Sequence, residues 1–145
     1  MSTVETKPSL VLARRIAAAP EAVFAAWTQP AQLVKWFGPH GAQVLTAEVE
    51  ARQHGRYRVL LQTPDGEKHD VSGIYRSFEP CKRLVFTWQW VTMPERQSLV
   101  TVELVPNYGA TMLTLRHEQF ADVSARDRHE AGWSGSLDKL QKLFA

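Results

Sequence analysis

From residue 43 to residue 118 apolar and polar positions mostly alternate with a period of two, and on either side of that stretch the spacing is helical. The cleanest alternation runs over 83–91, where Leu84, Phe86, Trp88 and Trp90 share one face and Val85, Thr87, Gln89 and Val91 the other. Weaker versions cover 43–51, 56–62, 68–78, 98–105 and 110–118. In the last of these five Leu113, Leu115 and His117 lie on one side. Thr63-Pro64-Asp65-Gly66 carries the Asp-Gly hairpin signal between two of them. A further strand is expected at 9–17, with Leu10, Leu12, Arg14 and Ile16 together.

Pro20 and Glu21 suit a first helical turn, and Val23, Phe24 and Trp27 form its apolar face. Pro30 breaks the pattern and begins a second short helix over 31–37, closed by the Gly38-Pro39-His40-Gly41 loop. At the other end, Trp133, Leu137, Leu140 and Phe144 fall at steps of four, three and four, one stripe of a long helix over 124–144. Ser124 is its expected cap, with Asp127 as capping-box partner. Gly132 and Gly135 weaken its middle unless something must approach closely there.

The order is strand, two short helices, six strands and a long helix. Tight turns make the strands an antiparallel meander, so the class is α+β, with the final helix covering one face of the sheet. A strongly bent sheet of about seven strands is not filled by one helix, so a cavity between them is expected.

Composition sharpens that cavity. A chain of 145 residues fits one domain, read here as 9–145 after a flexible 1–8. Five tryptophans exceed what one small core needs, so several should line a pocket. Tyr57, Phe86, Trp88, Trp90, Leu113, Leu115, His117 and Trp133 are its expected walls, and Trp36, with Phe37, its mouth or a helix contact. A net charge of +2 without a clustered basic stripe argues against nucleic acid. No window suits a signal peptide or a membrane span, so a cytoplasmic protein is expected.

The single cysteine, Cys81, sits in a turn without a base beside it, and an internal disulfide is excluded. The histidines His40, His54, His69, His117 and His129 show no metal-ligand spacing, and neither metal nor cofactor is expected. His117 is the candidate for chemistry, as a ligand contact or a general base; a lone inward histidine is more commonly a hydrogen-bonded core residue. Arg14, on the face with Leu10 and Ile16, is a possible carboxylate partner.

The succession Pro20-Glu21-Ala22-Val23-Phe24, Trp27-Thr28, Trp36-Phe37, Gly55-Arg56-Tyr57, Gly73, Glu79-Pro80, 83–88, 111–117 and Gly132-Trp133 resembles bacterial proteins similar to the activator of heat-shock protein 90 ATPase. These belong to the START-like, helix-grip (SRPBCC) superfamily, and the resemblance spans about 9–144. It implies a curved sheet around the C-terminal helix with a hydrophobic ligand cavity between them. It departs at His54, where a glycine is usual before Gly55. The eukaryotic co-chaperone carries a further N-terminal domain for which this chain has no room, so chaperone binding is not the expected role.

Three function classes follow. The first is a carrier or sensor of a small hydrophobic or aromatic molecule, lipid- or polyketide-like, which needs only the aromatic cavity. The second is an enzyme of cyclase or hydrolase type using His117, for which no acid–base pair is evident. The third is an interaction protein, chaperone-associated or otherwise, marked by an exposed apolar patch. Unpaired edge strands would also allow a homodimer.

Overall fold

The computed structural model describes residues 7–145, so most of the expected flexible 1–8 stretch lies outside the described residues. The first strand, β1 (Leu10–Ile16), is followed by helices α1 (Pro20–Thr28) and α2 (Pro30–Leu33). Six strands come next: β2 (Gln43–Val49), β3 (Arg56–Gln62), β4 (Lys68–Glu79), β5 (Arg83–Trp90), β6 (Ser98–Asn107) and β7 (Ala110–Glu118). The long helix α3 (Val123–Leu143) ends the fold.

The strands form one antiparallel sheet in the order β1-β7-β6-β5-β4-β3-β2. Consecutive strands are neighbours except β1 and β2, which lie at opposite edges and are joined through α1 and α2; β1 pairs instead with β7, Leu10 opposite His117 and Ile16 opposite Thr111. Register shifts between Val44 and Thr46 and between Tyr75 and Ser77 place extra residues in β2 and β4. Bulges of this kind bend a strand and strengthen its twist, which curls the sheet around α3.

Alternation sets what the concave face carries. On β5 and β7 the inward side chains Leu84, Phe86, Trp88, Leu113, Leu115 and His117 are all buried. In β1, Leu10 and Ile16 are buried and Val11 is exposed, so the face shared with Arg14 turns inward. The Arg14 guanidinium meets α3, donating to Ser134 Oγ at 3.3 Å beside Asp138 at 3.7 Å.

Two helix boundaries differ from expectation. α2 stops at Leu33, because residues 34–37 tighten into turns in which Lys35 N–H and Trp36 N–H reach back three residues to Gln32 and Leu33. That tightening swings Trp36 inward, where it is 1% exposed and donates its indole N–H to Ala26 O at 3.0 Å. α3 is capped by Asp122, whose carboxylate accepts from Ala125 N–H at 2.7 Å, and not by Ser124. Ser124 lies inside the first turn and its hydroxyl accepts from Arg128 Nη1 at 2.9 Å. Both residue types cap well, and the extended backbone at Asp122 (φ −157, ψ 173) decides between them.

Before β3, His54 stands in the left-handed region at φ 66, where the usual glycine would sit without strain. Gly55 beside it has no such freedom to change, since a Cβ would come within 2.1 Å of Glu50 O.

Candidate functional site

The two halves of the helix–sheet interface are built differently. At the end of the sheet that carries Tyr57, Tyr75 and Phe86 the interior is solid. Trp27 packs edge-on to Trp36 at 4.7 Å between centroids, and Phe86 meets both Tyr57 and Tyr75 edge-on at 5.3 and 5.9 Å. Leu113, Leu115, Leu137 and Leu140 are fully buried here. At the other end, between the β3–β4 hairpin, the end of β5 and the N-terminal half of α3, lies a cleft of about 950 Å³. Its walls come from Trp88 and Trp90 on β5, Leu61 on β3, Phe37 after α2, and His129 and Trp133 on α3. Exposed residues of the β5–β6 loop, among them Met93 and Arg96, rim it.

Two indole–imidazole hydrogen bonds brace that wall. Trp133 Nε1–H donates to His117 Nδ1 at 3.0 Å, and Trp90 Nε1–H donates to His129 Nε2 at 2.9 Å. An indole nitrogen can only donate, so each acceptor nitrogen carries no proton. In His117 the proton therefore sits on Nε2, which bonds to Ser98 Oγ at 2.7 Å, and the Ser98 hydroxyl passes on to Trp88 O at 3.4 Å. In His129 it sits on Nδ1, which donates to Ala125 O at 2.7 Å. The two rings are opposite tautomers, both neutral.

Their surroundings hold them so. Burial pushes His117 well below the ordinary histidine value, and neighbouring His129 adds to the shift. Burial also lowers His129; its bond to the Ala125 carbonyl opposes this and Arg128 reinforces it. Neither ring has a nitrogen left over for a substrate proton.

Other polar atoms are placed by the same packing. The Tyr57 hydroxyl, kept protonated by burial and then by Tyr75, donates to Thr87 O. Two buried indole N–H groups, those of Trp27 and Trp88, have no acceptor among the described residues. The Trp27 ring lies among Trp36, Phe86 and Trp133, whereas the Trp88 ring forms part of the cleft wall.

The two helical glycines have separate reasons. A Cβ on Gly135 would stand 3.0 Å from His40 N and 3.1 Å from His40 Cδ2, so α3 packs there against the Pro39–His40 loop. A Cβ on Gly132, which lines the cleft, would meet nothing within 4 Å.

Residues 17–145 match the family model described as "Activator of Hsp90 ATPase homolog 1-like protein". The chain belongs to that family. Among solved structures, the AHSA1 protein SPO3351 from Silicibacter pomeroyi is similar, with 32% identity and a TM-score of 0.83 over 93% of this chain and 96% of that one. Protein CV1439 from Chromobacterium violaceum is 28% identical, with a TM-score of 0.86 over 94% and 96% of the two chains. Protein NE0264 from Nitrosomonas europaea is 25% identical, with a TM-score of 0.80 over 97% and 96%. Comparison with curated proteins gave no match.

The fold is thus the START-like helix grip of the AHSA1-like family, a class that commonly binds hydrophobic ligands. Against this family background, the residues expected to form the pocket divide into two groups. Trp88, Trp90 and Trp133 line the cleft. Trp36, Tyr57, Phe86, Leu113, Leu115 and His117 do not; they are buried behind it, as packing that holds the lining residues in place. Gly132, His129, Phe120 and Arg96 line the cleft without having been singled out as walls. For His129 a signal was available: it lies four residues before Trp133 on α3 and so shares a helix face with it.

No helix among the described residues is long and apolar enough to cross a membrane.

Proposed function

We propose that this AHSA1-like protein binds a small, flat hydrophobic or aromatic molecule in the cleft between β5 and α3, as a carrier or sensor. The observation that carries the reading is the cleft itself, about 950 Å³ and walled by three tryptophans, with the helix side kept clear at Gly132. That volume lies in the upper part of the range typical of small-molecule sites, and stacked indoles favour planar ligands. Glycine inside a helix costs about 1 kcal/mol relative to alanine, and at Gly132 no neighbouring atom requires it. His117 gives no support to catalysis, because Trp133 and Ser98 occupy both its nitrogens.

The test is Gly132→Leu. Its side chain projects into the cleft, so affinity for ligands found by native mass spectrometry, or by tryptophan-fluorescence titration of fatty acids, polyketides and flavonoids, should fall at least about tenfold. Stability should rise by about 0.5–1 kcal/mol, since the helix loses a glycine. Undiminished binding in a folded, stabilised variant would place the ligand elsewhere and overturn the proposal.

A further inference from the structure

The charges at the rim say something about the ligand that the aromatic walls do not. Lys68, Arg96 and Arg128 line the cleft together with Glu67 and Asp70. The two carboxylates are not equivalent. Asp70 is held from outside by Arg58, whose Nε and Nη2 donate to it at 3.1, 3.2 and 2.8 Å. Glu67, on the hairpin side, lies 3.8 Å from His69.

The cations are less engaged. Among the described residues Arg128 has no carboxylate within 4 Å and makes one side-chain bond, Nη1 to Ser124 Oγ at 2.9 Å. Arg96 makes only a long ion pair, 3.9 Å to Asp122. Those contacts hold both guanidiniums at the Asp122–Ser124 end of α3, on one side of the cleft. A guanidinium has five N–H donors arranged as a fork that fits a planar oxyanion. On this side of the rim most of those donors face solvent.

Resting on the cleft-binding reading above, we infer that the ligand is an amphipathic organic anion. Its flat apolar body lies against Trp88, Trp90 and Trp133, and its carboxylate, sulfonate or phenolate is held by Arg96 and Arg128. A neutral hydrocarbon or sterol would leave the arginine side of the rim without a partner. A cationic ligand would have to be held by Glu67 alone, since Asp70 is already neutralised.

Two fluorescent probes that differ by one acidic group test this. Anilinonaphthalene sulfonate carries the anion; N-phenylnaphthylamine is the same ring system without it. The protein should bind both, with Gly132→Leu blocking each. In the double variant Arg96→Gln/Arg128→Gln the sulfonate should lose about tenfold in affinity while the neutral probe changes less than about twofold. Added salt should weaken only the sulfonate, and only in the unmodified protein. Both arginines are exposed, so the double variant should fold, which its unfolding midpoint verifies.

Equal effects of the double variant on both probes, or none on either, would overturn the anion inference and leave the cleft reading standing. Sulfonate binding that survives Gly132→Leu would also overturn it, as surface adsorption. If neither probe binds the unmodified protein, the cleft reading fails and this inference falls with it.

Discussion

At Gly73 the sheet leaves no space for a side chain. A Cβ there would stand 1.9 Å from the Thr87 carbonyl oxygen and 2.7 Å from Tyr57 Cε1. Tyr57, opposite Gly73 in the register, reaches across the bare backbone and donates its hydroxyl to that same carbonyl. Thr87 returns a bond through its own side chain, Oγ1 accepting from Ile74 N–H at 2.9 Å. The glycine is therefore a crossing point for three strands. Gly73→Ala should lower the unfolding free energy by about 2–4 kcal/mol, through overpacking and loss of the Tyr57 bond, as read from the denaturant midpoint. A change below about 0.5 kcal/mol would mean that β4 and β5 shift freely at this point.

Among the elements, the strands are the part most legible in the sequence. Alternation at 83–91 and 110–118 gives both the strand and the inward face, because the pleat fixes side-chain direction once the backbone is extended. What alternation cannot give is what an inward side chain meets. Phe86 and Trp88 point the same way two residues apart, yet Phe86 meets Tyr57 and Tyr75 while Trp88 faces the cleft. That difference arises because the cleft opens only at the end of β5 that carries Trp88 and Trp90, a tertiary property with no local signal. Trp36 and Phe37 make the same point, since the turn after α2 buries the first and delivers the second to the cleft wall.

At the start of α3 the expected cap, Ser124, gives way to Asp122 for another reason: both residue types cap well, and only backbone geometry separates them. Asp122→Ala should cost about 1 kcal/mol in denaturant unfolding, and Ser124→Ala less than half of that. The reverse ranking would restore Ser124 as the cap.

For the whole molecule, the two neutral histidines couple stability to acidity. In the unfolded chain each takes up a proton near the ordinary value of 6.5, whereas the folded protein holds both below it. The unfolded state therefore binds more protons in that interval, so their contribution is complete above about pH 6.5 and is lost as pH falls toward the lowered folded values. Each group that titrates in this way adds a slope of up to about 1.4 kcal/mol per pH unit. Protonation would also set an N–H against the N–H of Trp133 or Trp90, removing the bonds that brace the cleft. Urea unfolding across about pH 5 to 7 should show stability declining on acidification, and the slope should be shallower in His117→Asn and in His129→Gln. If neither substitution alters the slope, the histidines are not its source. Arg128 adjoins His129, so removing its charge should make that ring easier to protonate.

The pairing of β1 with β7 joins the first strand to the last, with Leu10 and His117 opposite one another. Strands β2 to β7 can zip together in order as each hairpin closes, every partner being the next segment made. β1 has no such neighbour. On a ribosome its strand and the apolar face of α1 would emerge well before β7 and wait, unpaired, for roughly a hundred residues of synthesis. In the cell β1 thus finds its place only after β7 has been made, and for that interval it is the segment most in need of protection from aggregation.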